Sequence, residues 1–133
     1  MQPVIFDSTI WIDYLNGTIT KETDLLYNYL ENDYKIYVCP VIVQEVLQGI
    51  KEDKQHSEVK EIFSYLNLLT IDHMVASIGA AELYRTLRKK GLTIRKSNDC
   101  MIAFYALYFD LPLIHNDKDF NIISKHTPLK ITV

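Results

Sequence analysis

Four short strand-like segments built on apolar runs, PVIF (3–6), YKIYVC (34–39), LLTI (68–71) and PLIH (112–115), alternate along the chain with segments of helical character. Continuous apolar runs of this length suit strands buried on both faces. Strands separated by helices imply a parallel sheet, because parallel neighbours need a long crossover between them. The fold class expected is therefore α/β: one central parallel sheet of four to five strands with helices on both faces. LKITV (129–133) is the candidate fifth strand, at an edge. Residues 1–133 read as a single domain, long enough to bury roughly two thirds of the unfolded surface.

The helical segments have their own signals. STIWIDYLNG carries Ser8 or Thr9 near an N-cap and ends at Gly17. Over 21–32, Leu25, Leu26, Tyr29 and Leu30 form an amphipathic stripe. Pro40 fits the first turn of a helix holding Val41, Glu45, Val46 and Ile50. HSEVKEIFSYLNLL gives the next helix, and a long one runs from near Asp72 to a cap at Gly91. The segment 99–109 is apolar on most faces and reads as a buried helix, and DFNIISKH as a short last one.

Composition excludes several classes. Apolar residues make up 48% and charged residues 23%, as in ordinary globular chains rather than disordered ones. No apolar stretch approaches the roughly 20 residues of a membrane span. MQPVIFDST lacks the regions of a secretory leader, so a cytoplasmic location is expected. Cys39 and Cys100 show no metal or redox spacing and read as buried thiols. The glycines, at 17, 49, 79 and 91, form no phosphate-cradling loop, which removes Rossmann and P-loop chemistry.

In parallel α/β sheets, function gathers beyond the carboxyl ends of the strands. Four acids fall there: Asp7 after PVIF, Glu45 and Asp99 in the first turns of helices that begin at that edge, and Asp117 after PLIH. Carboxylates brought within a few Å repel, and a divalent ion relieves the repulsion. Oxygen-only ligands select hard cations, so Mg²⁺ or Mn²⁺ is expected, with a metal-activated water as nucleophile. Thr9 can add a hydroxyl to that shell or cap the first helix. Each acid also has an ordinary alternative: Asp7 and Asp99 as helix caps, Asp117 as an Asx-turn. Asp119 reads as a solvent-facing turn residue that can join the metal site, and His115 as a strand-end histidine.

A net charge of −3 speaks against a polyanionic partner, but its distribution does not. Arg85, Arg88, Lys89, Lys90, Arg95 and Lys96 stand together, with no acid among them, directly before Asn98 and Asp99. This is either a solvated helix end complementing the dipole or a rim that guides phosphates toward the acids.

VIFDSTIWIDYL, VIVQEVLQG, SNDCMIAFYAL and LIHNDKDF resemble, in order, the four motifs of PIN-domain ribonucleases, and nearest to them the VapC-type toxins of toxin–antitoxin modules. The resemblance covers nearly the whole chain. It implies Mg²⁺- or Mn²⁺-dependent RNA cleavage with Asp7, Glu45, Asp99 and Asp117 as the acidic site and Thr9 as its accompanying hydroxyl. It also implies a homodimer and a small antitoxin whose C-terminal tail enters the groove. Arg85 matches a basic position often seen on this helix in such proteins, one that could contact RNA or an antitoxin carboxylate. His115 departs from the threonine or serine common in such proteins, which puts a hydroxyl role there in doubt.

Three other readings compete. A haloacid-dehalogenase-like phosphatase needs a second Asp where this chain has Thr9. A non-catalytic PIN-like module that binds RNA or protein, or an RNA-processing nuclease without an antitoxin, fits the same fold; loss of an acid would favour the non-catalytic module.

Overall fold

The computed structural model describes residues 1–132. Four strands, β1 (Val4–Phe6), β2 (Ile36–Val38), β3 (Asn67–Leu68) and β4 (Leu113–Ile114), form one sheet among the described residues, in the order β3-β2-β1-β4. Every pairing is parallel: Val4 with Ile36, Ile5 with Leu113, and Tyr37 with Asn67. Successive strand residues point to opposite faces, and Val4, Ile5 and Phe6 are all fully buried. The central strand is thus covered on both sides, which is why its sequence is continuously apolar rather than alternating.

Seven helices among the described residues make the crossovers: α1 (Ser8–Leu15), α2 (Lys21–Glu31), α3 (Pro40–Gln48), α4 (Asp53–Tyr65), α5 (His73–Lys89), α6 (Ser97–Tyr108) and α7 (Lys118–His126). Trp11 of α1 packs edge-on to Phe63 of α4, and Phe6 edge-on to Tyr29 of α2. None of these helices is long and apolar enough to cross a membrane.

Three expectations need correction. LKITV is not a strand over its described residues. Its Lys130 carbonyl accepts from the Leu113 amide at 2.8 Å, but Pro128 offers no N–H at the start of the segment and no ladder forms. Val133, the last residue of that expected strand, lies outside the described residues. The third strand is Asn67–Leu68 rather than LLTI, because the chain turns extended at Leu66 (ψ 166°) and pairs at once with β2. The preceding helix correspondingly starts at Asp53, three residues before HSEV, with that acid in its first turn where the dipole favours it. Both cysteines are buried and free, as expected. Burial pushes the Cys39 thiol up to about 12 and the Cys100 thiol to about 11, so neither is a reactive thiolate.

Candidate active site

The strand order places the ends of β1 and β4 side by side, and the acids collect just beyond them. Asp7 leaves β1 with extended backbone and becomes the N-cap of α1. Its Oδ2 accepts from the Thr9 hydroxyl at 2.7 Å and from the Thr9 amide at 3.4 Å. Asp117 leaves β4 in the same manner and caps α7, its Oδ1 accepting from the Asp119 amide at 2.9 Å. Both are therefore caps and members of the cluster at once, because a cap after a parallel strand sits at the carboxyl edge. Asp99 is not a cap: Lys96 holds that position, and Asp99 stands in the first turn of α6. Glu45 projects from α3, half-buried, where the Ser8 hydroxyl donates to Oε1 (3.0 Å) and the Asn98 amide to Oε2 (3.4 Å).

Asp119 is the largest departure from the sequence reading. It is 2% exposed rather than solvent-facing, and oxygens of Asp99, Asp117 and Asp119 lie within 4.8 Å of one another. The α7 cap explains this: once Asp117 starts the helix, Asp119 in the first turn faces back under the sheet edge. The Arg95 amide (3.2 Å) and guanidinium Nε (3.4 Å) both donate to Asp119 Oδ2, while Nη2 reaches Asp117 Oδ1 at 3.3 Å. Lys96 Nζ stands 4.0 Å from Asp117 Oδ2. Sequence reasoning missed Arg95, Ser8 and Asn98 as partners of the acids. Arg95 was legible only as part of a basic run, and Ser8 only as a residue near a cap.

The electrostatics of the cluster are strained. Burial raises the Asp7 carboxyl above its usual range; the Thr9 bonds oppose this, and the Glu45 charge adds to it. Burial, then the charges of Asp7 and Asp117, lift Asp99 to about 7. Asp7 Oδ1 and Asp99 Oδ2 are buried and have no hydrogen-bond partner among the described residues. Buried acceptors without partners are rare and point to an unmade contact. An all-oxygen donor set with two unpartnered buried carboxylate oxygens fits a hard divalent cation.

Around this centre, His115 is held neutral as an acceptor: burial lowers its pKa, and Nδ1 takes the Asp117 amide at 3.1 Å. Its ring packs on Phe120 with centroids 5.1 Å apart. Arg85 is exposed on α5 and shares a groove of about 500 Å³ with Tyr84, Arg88, Ser97, Asn98 and Met101. That groove reaches Asn98, the residue that holds Glu45, so Arg85 and Arg88 border the acids, while Lys96 of the same basic stretch lowers the Asp99 pKa against the burial and carboxylates that raise it.

Thr9 neither caps its helix nor stands free; its hydroxyl holds Asp7. Removing a hydrogen bond to a charged, buried acceptor costs about 1.5–3 kcal/mol. Thr9→Val, which keeps shape and loses the donor, should lower stability by that order in urea unfolding at pH 8. An unchanged midpoint would show that water replaces the hydroxyl.

The PIN domain family pattern matches residues 4–125. The chain is 30% identical over 128 residues to the VapC ribonuclease Mb1587 of Mycobacterium bovis, across 96% of both chains. It is equally similar to ribonuclease VapC11 of Mycobacterium tuberculosis. Among solved structures, it superposes on a chain of VapBC2 from Rickettsia felis, bound to a promoter DNA fragment, with a TM-score of 0.71 at 23% identity, covering 97% of this chain and 96% of that one. A toxin–antitoxin complex from Klebsiella pneumoniae gives 0.63 at 26% identity, over 96% and 99%.

Proposed function

This chain belongs to the PIN-domain family, and from that premise we propose that it is a divalent-metal-dependent endoribonuclease, the toxin of a toxin–antitoxin pair. The observation that carries the reading is the pair of unpartnered buried oxygens, Asp7 Oδ1 and Asp99 Oδ2, beside Asp117 and Glu45 at one sheet edge. The four acids that the resemblance implies, Asp7, Glu45, Asp99 and Asp117, are all present, which weighs against a non-catalytic module.

Asp7 and Asp99 are the residues that would hold Mg²⁺ or Mn²⁺, with Asp117 and Glu45 completing the donor set. Bound there, the ion supplies Lewis acidity to the phosphodiester and to the attacking water. The chain's own residues do the rest. Thr9 keeps Asp7 Oδ2 engaged and leaves Oδ1, buried and unpartnered, for the ion. Ser8 and Asn98 hold the Glu45 carboxylate at the half-exposed rim, where its oxygens can accept a proton from the incoming water. The apolar walls of β1 and α6 keep bulk water from the buried acids and strengthen every charge interaction among them.

Arg85 and Arg88 line the approach to Asn98 and attract the RNA backbone, or the carboxylate of a small antitoxin that occupies the same groove. The solved relatives named VapBC and toxin–antitoxin complexes support such a partner. A homodimer is supported by the exposed Met74, Val75 and Ile78, which share one face of α5. RNA incubated with the purified chain should be cut at internal bonds in Mg²⁺ or Mn²⁺, and cleavage should stop in EDTA and return on adding metal. Cutting that persists in EDTA would remove the assignment. A short neighbouring reading frame encoding a DNA-binding antitoxin would separate a toxin from an RNA-processing nuclease.

A further inference from the structure

We propose that Arg95 is a tethered cation that permanently fills one half of the acidic site, so that the chain holds one divalent ion and not two. The inference rests on the metal-site reading above and deepens it. The acids divide into two sets by what already faces them. Asp119 Oδ2 accepts twice from Arg95, through its backbone amide and Nε, and Asp117 Oδ1 accepts from Nη2 and from the Asp119 amide. Asp7 Oδ1 and Asp99 Oδ2 accept nothing among the described residues. Asp119 Oδ2 and Asp117 Oδ1 are thus already matched by the protein, whereas Asp7 Oδ1 and Asp99 Oδ2 are not, and Asp117 Oδ2, with only Lys96 at 4.0 Å, still faces the ion.

Three features make Arg95 a resident of the site rather than a passing surface charge. Asp119 is 2% exposed, and a buried carboxylate left without a cation carries a heavy desolvation cost. A guanidinium is charged at every accessible pH, and its fork spans two carboxylates at once. The backbone that bears Arg95 is pinned by Ile94, also 2% exposed, and by the Arg95 amide on Asp119, so its side chain is always presented beside both acids. With Lys96 near Asp117, two cations oppose five carboxylates, counting Glu45. The count alone does not choose between one ion and two; a second ion at Asp117 and Asp119 would stand directly against the Arg95 guanidinium that already contacts both.

Calorimetric titration of Mn²⁺ into the metal-free protein, with bound ions counted by electron paramagnetic resonance, tests this directly. The wild type should bind one Mn²⁺ per chain. Arg95→Gln should bind two, and Arg95→Lys, which keeps the charge, should return to one. Arg95→Lys keeps a cation beside the buried Asp119, and the wild-type count stands as a test without either substitution. Two ions in the wild type, or one ion at unchanged affinity in Arg95→Gln, would overturn the inference and leave the metal site standing. No Mn²⁺ bound by any variant would overturn the metal site and the inference together.

Discussion

Asp99→Asn will lower RNA cleavage by more than about 100-fold while raising the stability of the metal-free protein. Losing a residue that merely supports a metal ligand costs about 10–100-fold, and Asp99 supplies a buried, otherwise unpartnered oxygen to the site itself, so its loss should exceed that range. The stability gain follows from the same burial. Burial and the charges of Asp7 and Asp117 hold the Asp99 carboxyl at about 7, above its ordinary 3.8. A group whose pKa is raised on folding favours the folded state at low pH, and that contribution is lost as pH climbs through 3.8 toward 7. Asparagine carries no charge, so it removes the loss, and its amide can donate to the neighbouring carboxylates.

Thermal melts in EDTA should therefore show Asp99→Asn above wild type at pH 8, with the gap closing near pH 4. Asp7→Asn should act in the same direction, because burial raises Asp7 as well. A variant that lost activity and stability together would mean that Asp99 serves the fold and not the reaction.

Gly79→Ala will destabilise the protein by about 1–2 kcal/mol, the reverse of what helix propensity predicts. In the interior of an exposed helix, alanine is better than glycine by roughly 1 kcal/mol. Gly79 lies midway along α5, where a Cβ would overlap the ring of Phe104 on α6. Overpacking of this kind costs about 1–3 kcal/mol and is relieved by turning the Phe104 ring aside or moving one helix off the other. The consequence reaches the site, because α6 carries Asn98 and Asp99 in its first turn. A fall in melting temperature of about 5 °C is expected for a chain of this size. Phe104→Leu in the same background should recover most of it. A Gly79→Ala protein more stable than wild type would show that the ring turns aside without cost.

The frame of the molecule was legible because its signals are local. PVIF and the Leu113–Ile114 pair are apolar because their strands are covered on both faces, and Pro40, Asp72 and Gly91 mark helix ends through their own backbone chemistry. The failures have a common cause. LKITV has the composition of a strand, but strand formation needs a partner ladder, which composition does not encode. Asp119 has the setting of a turn residue, and its burial depends on how α7 leaves β4.

By itself the sequence determined the parallel α/β frame and the four separated acids that such a frame must gather at one edge, since periodicity and position after a strand are properties of neighbouring residues. Only the tertiary structure decided which acids remain without a partner and which are already matched by the protein. Arg95 and Asp119 are 24 residues apart, and Asn98 and Glu45 are 53 apart. Pairings across such distances are set by how helices settle on the sheet, and the free energy that selects them comes from burial and charge in three dimensions.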